Sequence, residues 1–294
     1  ILPMLEGAGS PTRRTISSPA GRYRLTLDTN EPGSVVSTIL RAAGNAECVL
    51  ETLSLDAWGV MSGLRNRFQN TQFVPDSNEE ILTSSSRRLC DVARQLIPQF
   101  FGTAQCTMLA DDGWNFCEIG QLIERAAITA NAITSITKPL LQPLAGSGSD
   151  HAMEIRLSAF LRLLNSRDIY RRVYQMRTEP LPLLELLWTN PVVPRSVVHC
   201  LTNCAARIRG NEKNLPPSTG RAIAEIESLI QSILSTDWET LLVGHKPLKH
   251  GKSPLQIHCD SLLKRLLALH TILCDSFLNH QVLMHAETKP LFQD

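Results

Sequence analysis

The chain has 294 residues, 29 basic against 28 acidic, a net charge of +1, and 43% hydrophobic but only 5% aromatic residues. So even a balance, with no clustered basic excess, argues against a nucleic-acid or membrane-surface partner, and no apolar run approaches the roughly 20 residues a spanning helix needs. At this length a core buries about three-quarters of the unfolded surface, so no disulfide or metal staple is required.

Residues 1–33 are rich in Gly, Ser, Pro, Thr and Arg and read as an irregular tail. Residues 34–294 read as one helical domain. Ser34 is placed to cap a helix carrying Val35, Val36, Ile39, Leu40, Ala43, Ala46 and Leu50 at helical spacing. Ser54 caps a second, with Leu55, Trp58, Met61, Leu64 and Phe68. Ser77 to Glu80 has capping-box spacing before the apolar positions Ile81 to Ile97. A long helix then begins near Asp111 and continues to about Thr137, where Pro139 is expected to stop it. Ala145 to Asp150 reads as a break. Further helices are expected near 151–165, 167–176, 181–188, 194–209 and 219–235, and a last one from about Leu255 to Met284. Alternating strand patterns are nearly absent. The pattern predicts an all-α fold, a single elongated bundle of roughly seven to nine helices.

The eight cysteines form no Cys-x-x-Cys pair, and most sit within apolar helical segments, as reduced core cysteines of a cytosolic protein do. No Walker loop, dinucleotide fingerprint or zinc-protease motif is present, and no cofactor or metal is expected. Ser-x-x-Lys occurs at Ser135/Lys138 and Ser261/Lys264 without the companion motifs of serine acyltransferases. His199, Cys200 and Cys204 have metal-ligand spacing but lie on the stripe of Val197, Leu201 and Ile208, which reads as core. Arg162, Arg167, Arg171, Arg172 and Arg177, interleaved with Tyr170 and Tyr174, are a basic cluster suited to a phosphate or carboxylate, or to a solvated face.

On the helix from Asp111, residues Phe116, Ile119, Ile123, Ala126 and Ala130 form one apolar face, and Gly120, Ala127 and Ala130 are small enough for close helix approach. Glu124 lies at the border of that face. A carboxylate there is costly to bury without a cation, so an arginine from a neighbouring helix is expected across the seam.

The segment "DDGWNFCEIGQLIERAAITANAI" resembles the hallmark helix of the bacterial alpha-E domain family, whose Gly-x-x-x-Glu-Arg-Ala core is matched by Gly120, Glu124, Arg125 and Ala126. "NEPGSVVSTILRAAGNAE", with Arg41, resembles its early helix. Trp58, "SRDIYRRVY" with Arg171 and Arg172, and "NPVVPRSVVHCL" with Arg195 follow in the family's order. Ala127 stands where the family usually has Asp. An opening helix with a second Gly-Arg-x-x-Glu-Arg-like motif is not found, which predicts an N-terminally truncated member or one that has lost that charge pair.

The resemblance implies an all-helical accessory domain, associated with circularly permuted ATP-grasp ligases in bacterial cytosolic peptide ligation or modification. Its expected partner is such a ligase or the ligase's peptide product, with Glu124, Arg125, Arg195, Gly120, Arg41, Arg171 and Arg172 as candidate binding residues. Two alternatives stand beside it: a pathway enzyme using Glu124 as general base, and a structural bundle that forms homo-oligomers.

Overall fold

The computed structural model describes residues 18–69, 79–140, 149–210, 219–243 and 252–277. Every regular element among them is helical, with no strand. The helices are α1 (Pro19–Leu27), α2 (Val35–Glu47), α3 (Leu55–Gln69), α4 (Glu79–Thr107), α5 (Asp112–Leu140), α6 (Ser149–Leu163), α7 (Arg167–Tyr174), α8 (Pro180–Trp188), α9 (Val197–Gly210), α10 (Thr219–Leu234), α11 (Trp238–Val243) and α12 (Pro254–Phe277). The all-α expectation holds, with twelve described helices against the seven to nine expected. Two short ones account for much of the excess. α1 lies inside the supposed tail: Ser18 accepts from the Gly21 N–H and Pro19 sits in the first turn, a start signal that the surrounding Gly and Ser obscured. α11 is six residues begun by Asp237, whose carboxylate accepts from the Thr240 N–H.

The chain divides into two compact units, residues 1–114 and 115–294. In the first, α2 is capped by Ser34, whose hydroxyl accepts from the Ser37 N–H, and α3 by Ser54, which accepts from Ala57. Val36, Ile39, Ala43 and Ala46 of α2 meet Ala57, Met61, Leu64 and Phe68 of α3 and Leu82, Leu89, Ala93 and Phe100 of α4 in one core that also takes Tyr23 and Leu27 of α1. α4 is 29 residues long and runs through Pro98, which has no N–H to return to the Arg94 carbonyl. The capping box at Ser77 and Asn78 lies outside the described residues.

The second unit is built around α8. Leu183, Leu184, Leu186, Leu187 and Trp188 are all fully buried, and a helix with a single charged residue, Glu185, and apolar on its other faces belongs near the centre of a fold. Pro180 starts it. α10 buries Ala222, Ile226, Leu229 and Ile233, and α12 buries Leu255, Cys259, Leu262, Leu266, Leu269 and Leu273, the alternating three- and four-residue spacing of a helix seam. The two pack along each other, and Arg265 of α12 ties them by donating to Glu225, Ser228 and Ser232 of α10. Trp188 and Trp238 stack at 5.5 Å with their planes 14° apart, docking α11 on α8. The α5 helix runs through Pro139 to Leu140, slightly past the expected stop. The break at Ala145 to Gly148, the loop from Gly244 and the end of the last helix beyond Phe277 lie outside the described residues.

Candidate functional site

The apolar stripe of α5 is buried as its spacing requires: Ile119, Ile123, Ala126, Ala127, Ala130 and Ile133 are all at most 5% exposed. Phe116, expected on that face, is 42% exposed. Gly120 is exposed and a Cβ built on it would meet nothing within 4 Å, so the close packing is made by the alanines and not by this glycine.

The charges of α5 are arranged differently from expectation. The ion pair to a neighbouring helix is made by Glu118, which meets Arg207 of α9 at 2.7 Å. Glu124 is half-buried and, among the described residues, no cation pairs with it; burial pushes its carboxyl above the usual value. The arginine expected across the seam from Glu124 therefore belongs to Glu118. The two acids are six positions apart, and the rotation of α9 about its axis, set by its own core stripe, decides which one Arg207 reaches.

Arg125 has a different neighbour. Arg195 lies close enough that burial, and then the charge of Arg125, lowers its basicity. Both side chains are half-buried, and no described carboxylate pairs with either. Arg195 stands two residues before the first turn of α9, where Ser196 donates its hydroxyl to the Trp188 carbonyl and its own carbonyl accepts from the Cys200 N–H. The first amides of a helix have no intrahelical acceptor and point outward. The Cys200 thiol beside the two guanidiniums is raised to about 11 by burial, against their opposing pull. Like charges within electrostatic reach of one another near a helix start favour an anion there, and the backbone N–H groups add to the attraction.

Cys200 and Cys204 pack fully buried in the core as expected, and burial raises the Cys204 thiol to about 12. His199 points elsewhere: its Nδ1 donates to the Pro191 carbonyl at 2.7 Å, and Asn203 approaches its Nε2 at 3.3 Å. Ser261 and Lys264 are both exposed, and the Lys138 side chain lies outside the described part.

The remaining candidates do not join the Arg125–Arg195 couple by any described contact. Arg41 belongs to the first unit, where it donates to the Pro32 carbonyl. Arg171 lines a cavity of about 550 Å³ with Arg167 and Arg177, and Arg172 on the same helix is exposed and does not line it. Sequence reasoning missed Glu154, Ser158, Gln175 and Thr178, which line that cavity with the arginines. Their types carry no signal on their own, and only the turn after α7 brings them together.

An all-helical chain with one Glu-Arg dipeptide, set on a partly buried helix, defines a class. The chain belongs to the Alpha-E family, described as "a predicted alpha-helical domain with a conserved ER motif", matched over residues 4–278; Glu124–Arg125 is where that dipeptide occurs. Over 222 residues it is 27% identical to a protein of Mycobacterium tuberculosis and to one of Mycobacterium bovis, both called "uncharacterized protein". The alignment covers 74% of this chain and 24% of each relative, so the chain spans about a quarter of the length of the curated relatives it matches. No solved structure matches it.

Proposed function

We propose that this Alpha-E domain is a helical binding module of an ATP-grasp peptide ligation or modification system, engaging the ligase or its peptide product through an anionic group. The observation that carries the reading is Arg195, half-buried just before α9 and within electrostatic reach of the half-buried Arg125 of α5, without a described carboxylate for either. Arginine in such a place favours a carboxylate, because its planar fork makes two parallel charge-assisted hydrogen bonds. A peptide C-terminus or an acidic side chain of the ligase supplies that group. The much greater length of the mycobacterial relatives supports a role beside other domains.

Co-purification of the full chain with an ATP-grasp ligase from the same organism, followed by calorimetry with that ligase and its peptide product, tests this. Binding in the micromolar range, weakened about tenfold or more by Arg125→Ala or Arg195→Ala, is the expected result. Absence of binding to either at tens of micromolar ends the proposal.

A further inference from the structure

The second unit holds a basic cavity that the proposed function does not use. It lies between α6, α7 and the segment that follows α7. Arg167 and Arg171 face it from α7, Arg177 from the segment beyond, and Glu154 is the one acid on its wall. Its volume is about 550 Å³, within the usual range for a small-molecule pocket.

The walls are fixed before any ligand arrives. Gln175 ends α7 in the left-handed conformation at φ 52°, and its N–H returns to the Arg171 carbonyl. That conformation is uncommon for a residue with a side chain, and it turns the chain back along α7. The fully buried Tyr170 then pins the returning segment: its hydroxyl donates to the Arg177 carbonyl at 2.9 Å and accepts from the Glu179 N–H at 3.1 Å. Arg167 is held by its Nε, which donates to the Ser158 hydroxyl at 3.0 Å, so that bond does not use its two terminal nitrogens. Arg171 and Arg177 make no ion pair with a described carboxylate. Glu154 meets His151 at 3.9 Å and none of the three arginines.

Three guanidiniums against one carboxylate leave a local charge of about +2. They offer more donors than one planar carboxylate can accept with its two oxygens. A phosphoryl group has three outer oxygens and close to two negative charges at neutral pH, which matches both counts. We propose that the cavity bounded by Arg167, Arg171 and Arg177 binds a small phosphorylated molecule, the arginines and the Ser158 and Thr178 hydroxyls taking the phosphoryl oxygens. Glu154, on the same wall, accepts from a hydroxyl or ammonium group of that ligand. The site is separate from the Arg125–Arg195 couple and stands without it.

The test is calorimetric titration of the full chain with inorganic pyrophosphate at low salt, with citrate as a carboxylate of similar charge. Arg171→Ala and Arg177→Ala remove exposed side chains, so the fold is retained and circular dichroism verifies it. Arg221→Ala, on the exposed face of α10, removes the same charge away from the cavity. Saturable binding of pyrophosphate, at least tenfold weaker in either cavity variant and unchanged in R221A, supports the proposal. It is overturned by wild-type protein that binds no pyrophosphate at 10 mM, about the weakest affinity worth calling a site. It is equally overturned by tighter binding of citrate, by equal weakening in all three variants, or by loss in Arg125→Ala instead, which would move the anion to the α9 start.

Discussion

Gln175 shows how one residue can carry conformational strain that composition does not advertise. The two non-glycine residues with positive φ in the described chain are Asn165 and Gln175, both at 52°. Asparagine tolerates this conformation through its short polar side chain, and glutamine does not share that advantage. Gln175→Gly is therefore expected to stabilise the protein by about 1 kcal/mol, measured as a higher urea midpoint at unchanged slope. A loss of stability would mean that the glutamine side chain makes up for its backbone. Glu124 is the electrostatic counterpart. Its carboxyl is raised by burial with no described cation to offset it. A carboxyl whose folded value lies above its unfolded one binds more protons when folded, so its contribution is full below the unfolded value and is lost as pH rises through the folded one. Glu124→Gln removes that loss, so the variant should gain on wild type between pH 4 and pH 7 in denaturant titrations. If wild type proves the more stable at pH 7, a cation must reach Glu124 after all.

At the level of elements, helix faces and helix partners obey different rules. The buried stripe of α5 follows from its spacing, but the choice of Glu118 over Glu124 as the partner of Arg207 does not. Sequence periodicity places a charge on a helix and is silent on the rotation of the helix opposite. A double-mutant cycle with Glu118→Gln and Arg207→Gln is expected to give a coupling energy of about 0.5–1 kcal/mol, since Arg207 is nearly half exposed. The same cycle between Glu124 and Arg207 should give none; measurable coupling there would show that α9 sits differently on α5. Apolar packing outweighs such surface pairs. Trp188 is fully buried against Trp238, and Trp188→Ala should cost about 3–5 kcal/mol, while Trp188→Phe, which keeps an aromatic ring in place, should cost distinctly less. Thermal or urea unfolding reads both. The stack also explains how a helix as short as α11 persists, because it is held by a buried ring and not by its own hydrogen bonds.

Across the whole molecule, both proposed anion sites, at Arg125 and Arg195 and in the cavity of Arg167, Arg171 and Arg177, lie in the second unit. A net charge of only +1 carries no trace of such local groupings of basic residues. A ligand bound only by the folded state stabilises it by mass action. Pyrophosphate at about 100 times its Kd should therefore add about 2.7 kcal/mol to unfolding, seen as an upward shift of the midpoint that Arg171→Ala abolishes. Rising salt should reduce the shift, as screening weakens contacts to exposed guanidiniums. An equal shift in Arg171→Ala would place the stabilising ion elsewhere.

The helical class, the caps at Ser34 and Ser54, the core stripes of α2, α3 and α9, and the family were all legible in the residue order. Each depends on geometry repeated every few residues, which a linear pattern records directly. Less legible were the start of α1, a weak local signal in a Gly- and Ser-rich context, and the division into two units, which concerns which cores merge, a question of distance and not of spacing. Tertiary structure alone decided that Arg207, 89 positions from Glu118 in the chain, would take that acid, that Arg125 would come within electrostatic reach of Arg195, and that three of five clustered arginines would share a cavity. Long charged side chains meet according to helix rotation and the path of short turns, and both are settled only when the apolar faces have packed.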